Sequence, residues 1–502
     1  MLFIDESDNL LGGWLVSKGL KIYKDYYSQH TPLMYYICGV IYSFGAHSVA
    51  MVRTYFFFFL SLVWVFMYLR YSKHFGAFTM ALYPILYIFV LGYTFLGNTI
   101  VSEQVQSNAL VILLLEFLLF EKTRTLKYDN YIIISLSVFF SFGTAVNSAF
   151  PILVVCIGVF LLELLWFIKR LINERTKLAS YIAKIFLRYI ILFAAVAIPF
   201  LIFILIYDRQ HVMSNAYYQI FTFNRQVYSK YNGYGTSVLA TLQMPVYMFS
   251  GFFITIMNKL STNLVSNIQW LIDIASNFLF LWLLIKQNRK IAAVISFLMV
   301  IMCGTRGYDN FHAIPYYALS SIMIAYLLYY LAYLPIKQSP NYKNLRILSS
   351  AVIILFLSSS YFSNFHVHSE NGWFSDDPPS KIQIYIDTIT NKNDKIYLDN
   401  LDFYSYIRTD RLPASRIAGL VPWFADVYQN QVIDDLKANN TKVIVYTPDL
   451  DIWGYKAKDY EPLVQKFIMD DYTQLSSSDP GNITWVRNDY VQEARKKLNI
   501  TQ

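Results

Sequence analysis

At 502 residues the chain is long enough for about three to four soluble domains, but its composition excludes that organisation. Hydrophobic residues make up 56% and charged residues 15% of the chain, whereas soluble domains carry about 25% charged residues. The net charge of +8 comes from Lys and Arg in short segments between apolar runs, which indicates membrane orientation and not a nucleic-acid partner. The three cysteines, Cys38, Cys156 and Cys303, show neither zinc spacing nor a disulfide pattern. The sequence therefore predicts a mainly α-helical, polytopic membrane protein without a protein-held metal site.

Residues 1–51 are predicted to form the first extracytoplasmic loop, because the segment at 70–75 that follows the next apolar run is basic. The loop contains two amphipathic stretches, 8–19 and 32–46, which we expect to be helical. No apolar span precedes Asp5. We therefore expect that the first span of such a protein is missing here, through a misplaced start or a truncation.

The segment 52–363 is predicted to be a transmembrane helical bundle of about ten spans, since each span needs about 20 mostly apolar residues. A further apolar segment, 239–258, contains a Pro and a Gly and could span, but spanning would place the basic cluster at 286–290 outside. We favour a re-entrant or interfacial helix there. The predicted spans are 52–69, 77–96, 105–120, 130–146, 149–168, 186–207, 268–285, 290–303, 314–334 and 347–363.

Residues 364–502 are more polar and are predicted to form an extracytoplasmic α/β domain, because the span before them runs outward. Its β-like runs alternate with helical stretches, which is typical of small α/β domains. The predicted strands are 395–399, 442–446 and 483–487, and the predicted helices are 381–388, 431–439 and 461–470.

The first loop begins with two adjacent carboxylates, Asp5 and Glu6, at the predicted membrane surface. A carboxylate in a partly dry cavity has the basicity to take a proton from an acceptor hydroxyl, although acidic residues at this position also cap helices. Further along the loop, Tyr23, Asp25 and His30 are candidates for substrate binding. Asp25 could equally lie in a solvated turn, and His30 could be bonded to the backbone.

Two later outer loops supply further candidates. Glu103 stands at the mouth of a span, where it either caps the following helix or adds a second acidic group to a substrate cavity. Arg306, Tyr308 and His312 lie in the loop 304–313. Because the Arg306 guanidinium matches phosphate in shape and defies the positive-inside tendency, we expect it to bind a phosphate, with pairing to Asp309 or lipid head groups as the alternative.

The first loop resembles that of the C-type membrane glycosyltransferases, the group that includes aminoarabinose transferases and protein O-mannosyltransferases (glycosyltransferase family 39-like). The residues that carry the resemblance are Asp5-Glu6, Gly19, Tyr23-Lys24-Asp25, His30-Thr31-Pro32-Leu33-Met34-Tyr35, Phe44-Gly45 with Arg53, and the later Arg306, His312 and Pro315. The resemblance implies transfer of a sugar, with inversion, from a polyprenyl-phosphate carrier to a cell-envelope glycan, lipid or protein.

Within that reaction the resemblance implies that Asp5 is the general base, that Glu103 matches a second acidic position, and that Arg306 steadies the departing phosphate. Some members of the group need a divalent cation, so a cation remains possible. Two alternatives stay open: a transporter or flippase for a lipid-linked glycan, which could use buried charges such as Glu116 and Glu163 along its pathway, and a polysaccharide polymerase.

Overall fold

The computed structural model describes residues 4–93, 99–173, 178–231, 268–303, 310–333, 378–475 and 483–500, with six further positions between 243 and 257. The chain forms two compact units that are interleaved along the sequence. The first unit comprises Met1–Thr54, Tyr207–Thr241 and Phe374–Gln502, and the second comprises Tyr55–Ile206 and Leu242–Trp373. The first loop and the C-terminal residues, which we predicted as separate domains, thus belong to one unit.

Helices dominate both units. In chain order they are α1 (Ile4–Ser17), α2 (Leu33–Ser43), α3 (Val49–Phe75), α4 (Ala77–Tyr93), α5 (Ser102–Thr123), α6 (Tyr128–Thr144), α7 (Ala149–Asn173), α8 (Leu178–Arg209), α9 (Met213–Tyr217), α10 (Ser229–Tyr231), α11 (Ile268–Lys286), α12 (Lys290–Cys303), α13 (Ile314–Tyr333), α14 (Lys381–Ile389), α15 (Tyr404–Thr409), α16 (Pro422–Ala438), α17 (Ala457–Tyr460), α18 (Pro462–Asp471) and α19 (Val491–Lys497). Short 3₁₀ turns occupy Val146–Ser148 and Asn310–Ala313, and Tyr218–Tyr228 is π-helical.

Nine of the ten predicted spans coincide with helices, namely α3 to α8 and α11 to α13. The tenth, 347–363, lies outside the described residues, and so does the predicted re-entrant segment 239–258 except for the six positions noted above. Within the described part of the chain, four helical stretches are long and apolar enough to cross a membrane: Val49–Phe75, Ser102–Thr123, Val146–Ile172 and Ile182–Arg209.

The helix α5 is the centre of the second unit. In its most apolar stretch 94% of the residues are buried, against 22% to 39% in the other three long helices. Those three expose Phe and Leu side chains such as Phe58, Phe186 and Phe193. A surface of this kind is stable in lipid and not in water, so the second unit has the construction of a membrane domain.

Three carboxylates of the second unit are paired with arginines. Glu116 accepts a hydrogen bond of 2.7 Å from Arg70, and Glu163 pairs with Arg188. Arg289 contacts Glu121 at 2.6 Å. Such pairing reduces the cost of burying charge in an apolar helix bundle. Glu116 and Glu163, which the transporter alternative would use as pathway charges, therefore have structural partners.

In the first unit, α1 and α2 pack closely because three glycines line their interface. A Cβ atom on Gly12 or Gly13 would overlap the Tyr35 ring or Cys38, and one on Gly39 would lie 2.8 Å from the Val16 side chain. Glycine is therefore required for the close approach of the two helices.

The C-terminal part of the first unit contains a mixed four-stranded sheet and a hairpin. The strands are β1 (Tyr397–Leu398), β2 (Val443–Val445), β3 (Asp451–Ile452), β4 (Tyr455–Lys456), β5 (Tyr472–Gln474) and β6 (Thr484–Arg487). The sheet order is β1-β2-β6-β5, and only β1 and β2 are parallel.

Each predicted strand contains an observed strand, and α14 and α18 match predicted helices. The helix α16 begins at Pro422 and not at 431, and the prediction lacked β5, the β3–β4 hairpin, α15 and α19.

Behind this sheet two carboxyl groups, Asp399 and Glu461, are buried together. Asp399 accepts hydrogen bonds from the Tyr397 hydroxyl at 2.9 Å and the Leu420 amide at 2.7 Å. Burial raises the pKa of both carboxyls, and the charge of Asp399 raises the pKa of Glu461 further. Because both pKa values are raised, the folded state holds a proton up to a higher pH than the unfolded chain, which releases it near its ordinary pKa.

Glu461→Gln is expected to flatten the pH dependence of unfolding. Because the folded pKa values are raised, the pair contributes full stability below the unfolded values of about 4, and this contribution is lost as the pH rises through the folded values. Thermal unfolding of the purified protein between pH 5 and 9 should show a falling midpoint in the wild type and a smaller fall in the variant. Glu493→Gln, at an exposed carboxylate paired with Lys497, is the control and should keep the wild-type slope. Equal slopes in wild type and Glu461→Gln would contradict the retained proton.

Gly13→Ala tests the close approach of α1 and α2. Alanine favours a helix by about 1 kcal/mol over glycine, but here its Cβ would also lie 3.0 Å from the backbone carbonyl carbon of Cys38, which cannot move aside easily. Overpacking should therefore prevail and destabilise the protein by about 1–3 kcal/mol. Val40→Ala, on the exposed side of α2, should change the unfolding midpoint little. A Gly13→Ala variant that unfolds at a higher temperature than the wild type would show that the helices do not meet there.

Candidate functional site

The first two turns of α1 carry three acidic side chains, Asp5, Glu6 and Asp8. Acidic residues are favourable in a first turn because the helix dipole is positive there. Glu6 is fully buried and receives two hydrogen bonds from Arg53, from Nε at 2.8 Å and from Nη2 at 2.6 Å. This fork-to-fork geometry is the strongest form of ion pair, and it neutralises Glu6. Asp5 is half-buried.

Asp8 is bonded to two tyrosines. The Tyr26 hydroxyl donates to Oδ1, and the Tyr35 hydroxyl donates to Oδ2 at 2.7 Å. Burial, followed by the charge of Asp8, raises the pKa of Tyr26 well above its usual value, so this phenol stays protonated and keeps donating. Asp8 lies three residues after Asp5, so both project from one side of α1. We call Asp5, Glu6 and Asp8, with Arg53, Tyr26 and Tyr35, the first-turn cluster.

The loop between α1 and α2 is held by tyrosine and glutamine side chains. Tyr23 adopts a φ of 72°, which is unusual for a tyrosine, and its hydroxyl donates to the His30 carbonyl at 2.8 Å. Gln219 bonds both the Tyr23 carbonyl, at 2.9 Å, and the Ser28 amide, at 3.0 Å. The π-helical segment therefore holds this loop in place.

The three candidates predicted in this loop have different surroundings. Tyr23 is buried, whereas the side chains of Asp25 and His30 are exposed. Asp25 accepts a hydrogen bond from the Lys21 amide at 2.8 Å, which is the turn geometry that the sequence left open as an alternative. Their predicted role in substrate binding stays a prediction.

In the second unit, two predicted candidates from distant loops meet. His312 Nδ1 lies 2.7 Å from Glu103 Oε1, and Ser102 donates to the other oxygen of Glu103 at 3.1 Å. Glu103 is in the first turn of α5, so it also complements the helix dipole. Both interpretations of Glu103 made from the sequence are therefore compatible with its position. Arg306 and Tyr308 lie outside the described residues.

A divalent cation does not fit these side chains as they stand. Among the described residues, no group of three or more His, Cys, Asp or Glu side chains could hold a metal ion. Glu6 already faces Arg53, and both oxygens of Asp8 accept tyrosine hydroxyls. The expectation of a possible cation stays a prediction, and no chemical step below is routed through one.

No protein-family model matches this chain, and no curated protein is similar to it in sequence. Among solved structures, the archaeal oligosaccharyltransferase AglB from Archaeoglobus fulgidus, in complex with an inhibitory peptide and a dolichol-phosphate, is similar to it with a TM-score of 0.45 and 12% identity. The match covers 96% of this chain and 70% of that chain.

Sequence reasoning missed Asp8 and Tyr26, and it named Tyr35 only as part of the motif that carries the resemblance. The spacing of Asp5 and Asp8 was the available signal, because residues three apart share a helix face. The partnership of Glu6 with Arg53 had no local signal, since 47 positions separate them. A buried carboxylate needs a partner, but the sequence does not say which cation supplies it.

Arg53→Met should destabilise the protein by about 3–5 kcal/mol because it leaves the buried Glu6 charge uncompensated. The double variant Glu6→Gln with Arg53→Met should recover part of that loss. The unfolding midpoint in detergent, followed by intrinsic fluorescence, is the measurement. The control is Lys18→Met, which breaks the exposed Lys18–Asp410 pair and should cost at most about 1 kcal/mol. A double variant no more stable than Arg53→Met would contradict the ion-pair interpretation.

Proposed function

We propose that this chain is a membrane glycosyltransferase that moves a sugar from a polyprenyl-phosphate carrier to an extracytoplasmic acceptor. The observation that carries the proposal is the first-turn cluster. This cluster lies at the start of α1, and its residues belong to or adjoin the glycosyltransferase-like motif of the first loop. Asp8 accepts hydrogen bonds from Tyr26 and Tyr35, and Glu6 accepts hydrogen bonds from Arg53. The apolar helices of the second unit support a membrane setting. In this proposal the first unit lies outside the cytoplasm, as the distribution of basic residues predicts.

Asp5 is the general base in this proposal. Of the two adjacent carboxylates, Glu6 is fully buried and neutralised by Arg53, whereas Asp5 is half-buried and so has surface that an acceptor can reach. Asp8, on the same side of α1, is fixed by two phenols. A negative charge at Asp8 would disfavour loss of a proton from the acceptor. The hydrogen bonds from the two phenols weaken this effect. The role of Asp5 follows from this difference in access.

The reaction is a displacement at the anomeric carbon. The acceptor hydroxyl transfers its proton to the Asp5 carboxylate while its oxygen forms a bond to the anomeric carbon. The bond from that carbon to the phosphate oxygen breaks, and the electron pair leaves with the lipid phosphate. Attack opposite the leaving group inverts the anomeric configuration. A general base of this kind contributes about 10²- to 10⁴-fold to the rate.

The departing phosphate gathers negative charge, so a positive or hydrogen-donating group near it stabilises the transition state. In this proposal Arg306 has this role, as the resemblance to the membrane glycosyltransferases implies, and His312 stays a candidate for substrate binding. The contact of His312 with Glu103 at 2.7 Å orients the imidazole. In this proposal Glu103 is thus a positioning residue for His312.

Asp5→Asn is expected to lower sugar transfer by about 10²-fold or more, because asparagine keeps the size of the side chain but cannot accept the proton. Membranes supplied with radiolabelled polyprenyl-phosphate sugars give the measurement. Asp410→Asn, at an exposed carboxylate of the same unit, is the control and should transfer label like the wild type. Unfolding midpoints of both variants should match the wild type, so that loss of transfer is not loss of fold. Full transfer by Asp5→Asn would refute the assignment of the base.

A further inference from the structure

An aromatic surface on the first unit has no part in the chemistry above. Tyr228, Tyr231, Trp423, Trp453 and Tyr455 form a continuous series of ring contacts, which we call the aromatic strip. Trp423 and Trp453 are 4.9 Å apart between ring centroids, Trp423 and Tyr231 are 5.9 Å apart, and Tyr231 and Tyr455 are 5.6 Å apart. Trp423 is buried, whereas Trp453 and Tyr455 are 55% and 47% exposed. Trp453 therefore contacts the buried Trp423 and Tyr455 contacts the half-buried Tyr231, while about half of each outer side chain stays exposed.

The two outer rings are held by a tight hairpin. β3 and β4 pair in antiparallel fashion, and Trp453 and Gly454 between them have φ of 54° and 86°. The Gly454 amide donates to Asp451 at 2.8 Å, which closes the turn. Positive φ at both central residues is typical of the turns that fit the twist of a hairpin. A tryptophan with a positive φ is conformationally costly. The folding of the hairpin therefore does not explain why an exposed tryptophan stands at this position.

Charged groups surround the hairpin. Asp449 pairs with Lys458 at 2.7 Å and with Lys456 at 4.0 Å, and Asp451 is exposed next to Trp453. On the other side, Asp426 accepts the Tyr231 hydroxyl at 2.8 Å. A bilayer surface would have to accommodate these carboxylates, and anionic lipids would repel them. Exposed rings bordered by carboxylates and ammonium groups instead match a molecule with apolar C–H faces and hydroxyl edges.

We propose that the aromatic strip binds a saccharide chain, with sugar rings lying on Trp453 and Tyr455 and their hydroxyls bonding to Asp426 and Asp451. The C–H face of a pyranose carries partial positive charge and is attracted to the negative face of an aromatic ring. Because the hairpin is already ordered, little conformational entropy is lost on binding. The identification of this saccharide as the acceptor rests on the proposed glycosyltransferase activity and narrows the acceptor to a glycan.

The test measures saccharide binding by the full-length protein in lipid nanodiscs, without any sugar donor. The probes are hexasaccharides of glucose, mannose and N-acetylglucosamine, titrated by calorimetry. We expect at least one of them to bind the wild type and the affinity to fall at least tenfold in Trp453→Ala and in Tyr455→Ala. The control Tyr217→Ala removes an equally exposed tyrosine elsewhere in the first unit and should bind as the wild type does. Asp5→Asn should also bind normally, since its defect is in chemistry.

Two results would overturn the proposal. In the first, none of the three hexasaccharides binds the wild type, or the variants bind as well as it does. In the second, brominated phospholipid in the nanodisc quenches the fluorescence that Trp453→Phe removes, which would place the strip in the bilayer. Either result leaves the transfer assay with Asp5→Asn unaffected, so failure of this inference and failure of the proposed function are distinguishable.

Discussion

The buried charge of Glu6 constrains the first unit more than any other single group. A carboxylate without exposure is tolerated only with a cation in good geometry, and Arg53 supplies it through two hydrogen bonds. The pair joins the first turn of α1 to the start of α3. The glycine contacts that hold α2 against α1 and the tyrosines that bind Asp8 both require α1 to be where this pair fixes it. The same contact fixes the position of Asp5, because Asp5 directly precedes Glu6 in α1.

The same requirement organises the second unit. Glu116, Glu121 and Glu163 lie on apolar helices. Glu116 and Glu163 each face an arginine of another helix, and Glu121 faces Arg289, which directly precedes α12. Because both partners are drawn out of water, such pairs add little net stability, yet removal of one partner is costly. They therefore specify which helices are neighbours more than they stabilise the bundle. A transport pathway would need charges that exchange partners during the cycle, and these carboxylates instead have defined arginines.

The membrane helices were predictable from the sequence because a membrane span is recognisable from its local composition. The nine observed helices that match predicted spans need only a run of apolar residues bounded by basic ones. Three of the six strands of the C-terminal part, β1, β2 and β6, were located for a similar reason, since short β-branched runs such as 443–445 are local signals. The prediction failed where the signal is not local. β5 pairs with β6 through Thr473 opposite Val486, and its polar sequence has no alternation of its own. The contact of His312 with Glu103 joins residues 209 apart, and no periodicity in either loop encodes it.

Glu6, Asp8 and the Asp399–Glu461 pair show three environments of a carboxyl group in the first unit, and these differ in what the group can still do. Glu6 is fully buried and both of its oxygens meet the Arg53 guanidinium. Asp399 and Glu461 meet each other and retain a proton, which makes their part of the fold sensitive to rising pH but leaves them no access to a substrate. Asp8 meets two phenols, which donate to both of its oxygens. A general base has to stay anionic, stay reachable and be able to take up a proton at the moment of reaction. In the proposed reaction Asp5 has this role, because it is half-buried whereas the adjacent Glu6 is fully buried and paired with Arg53.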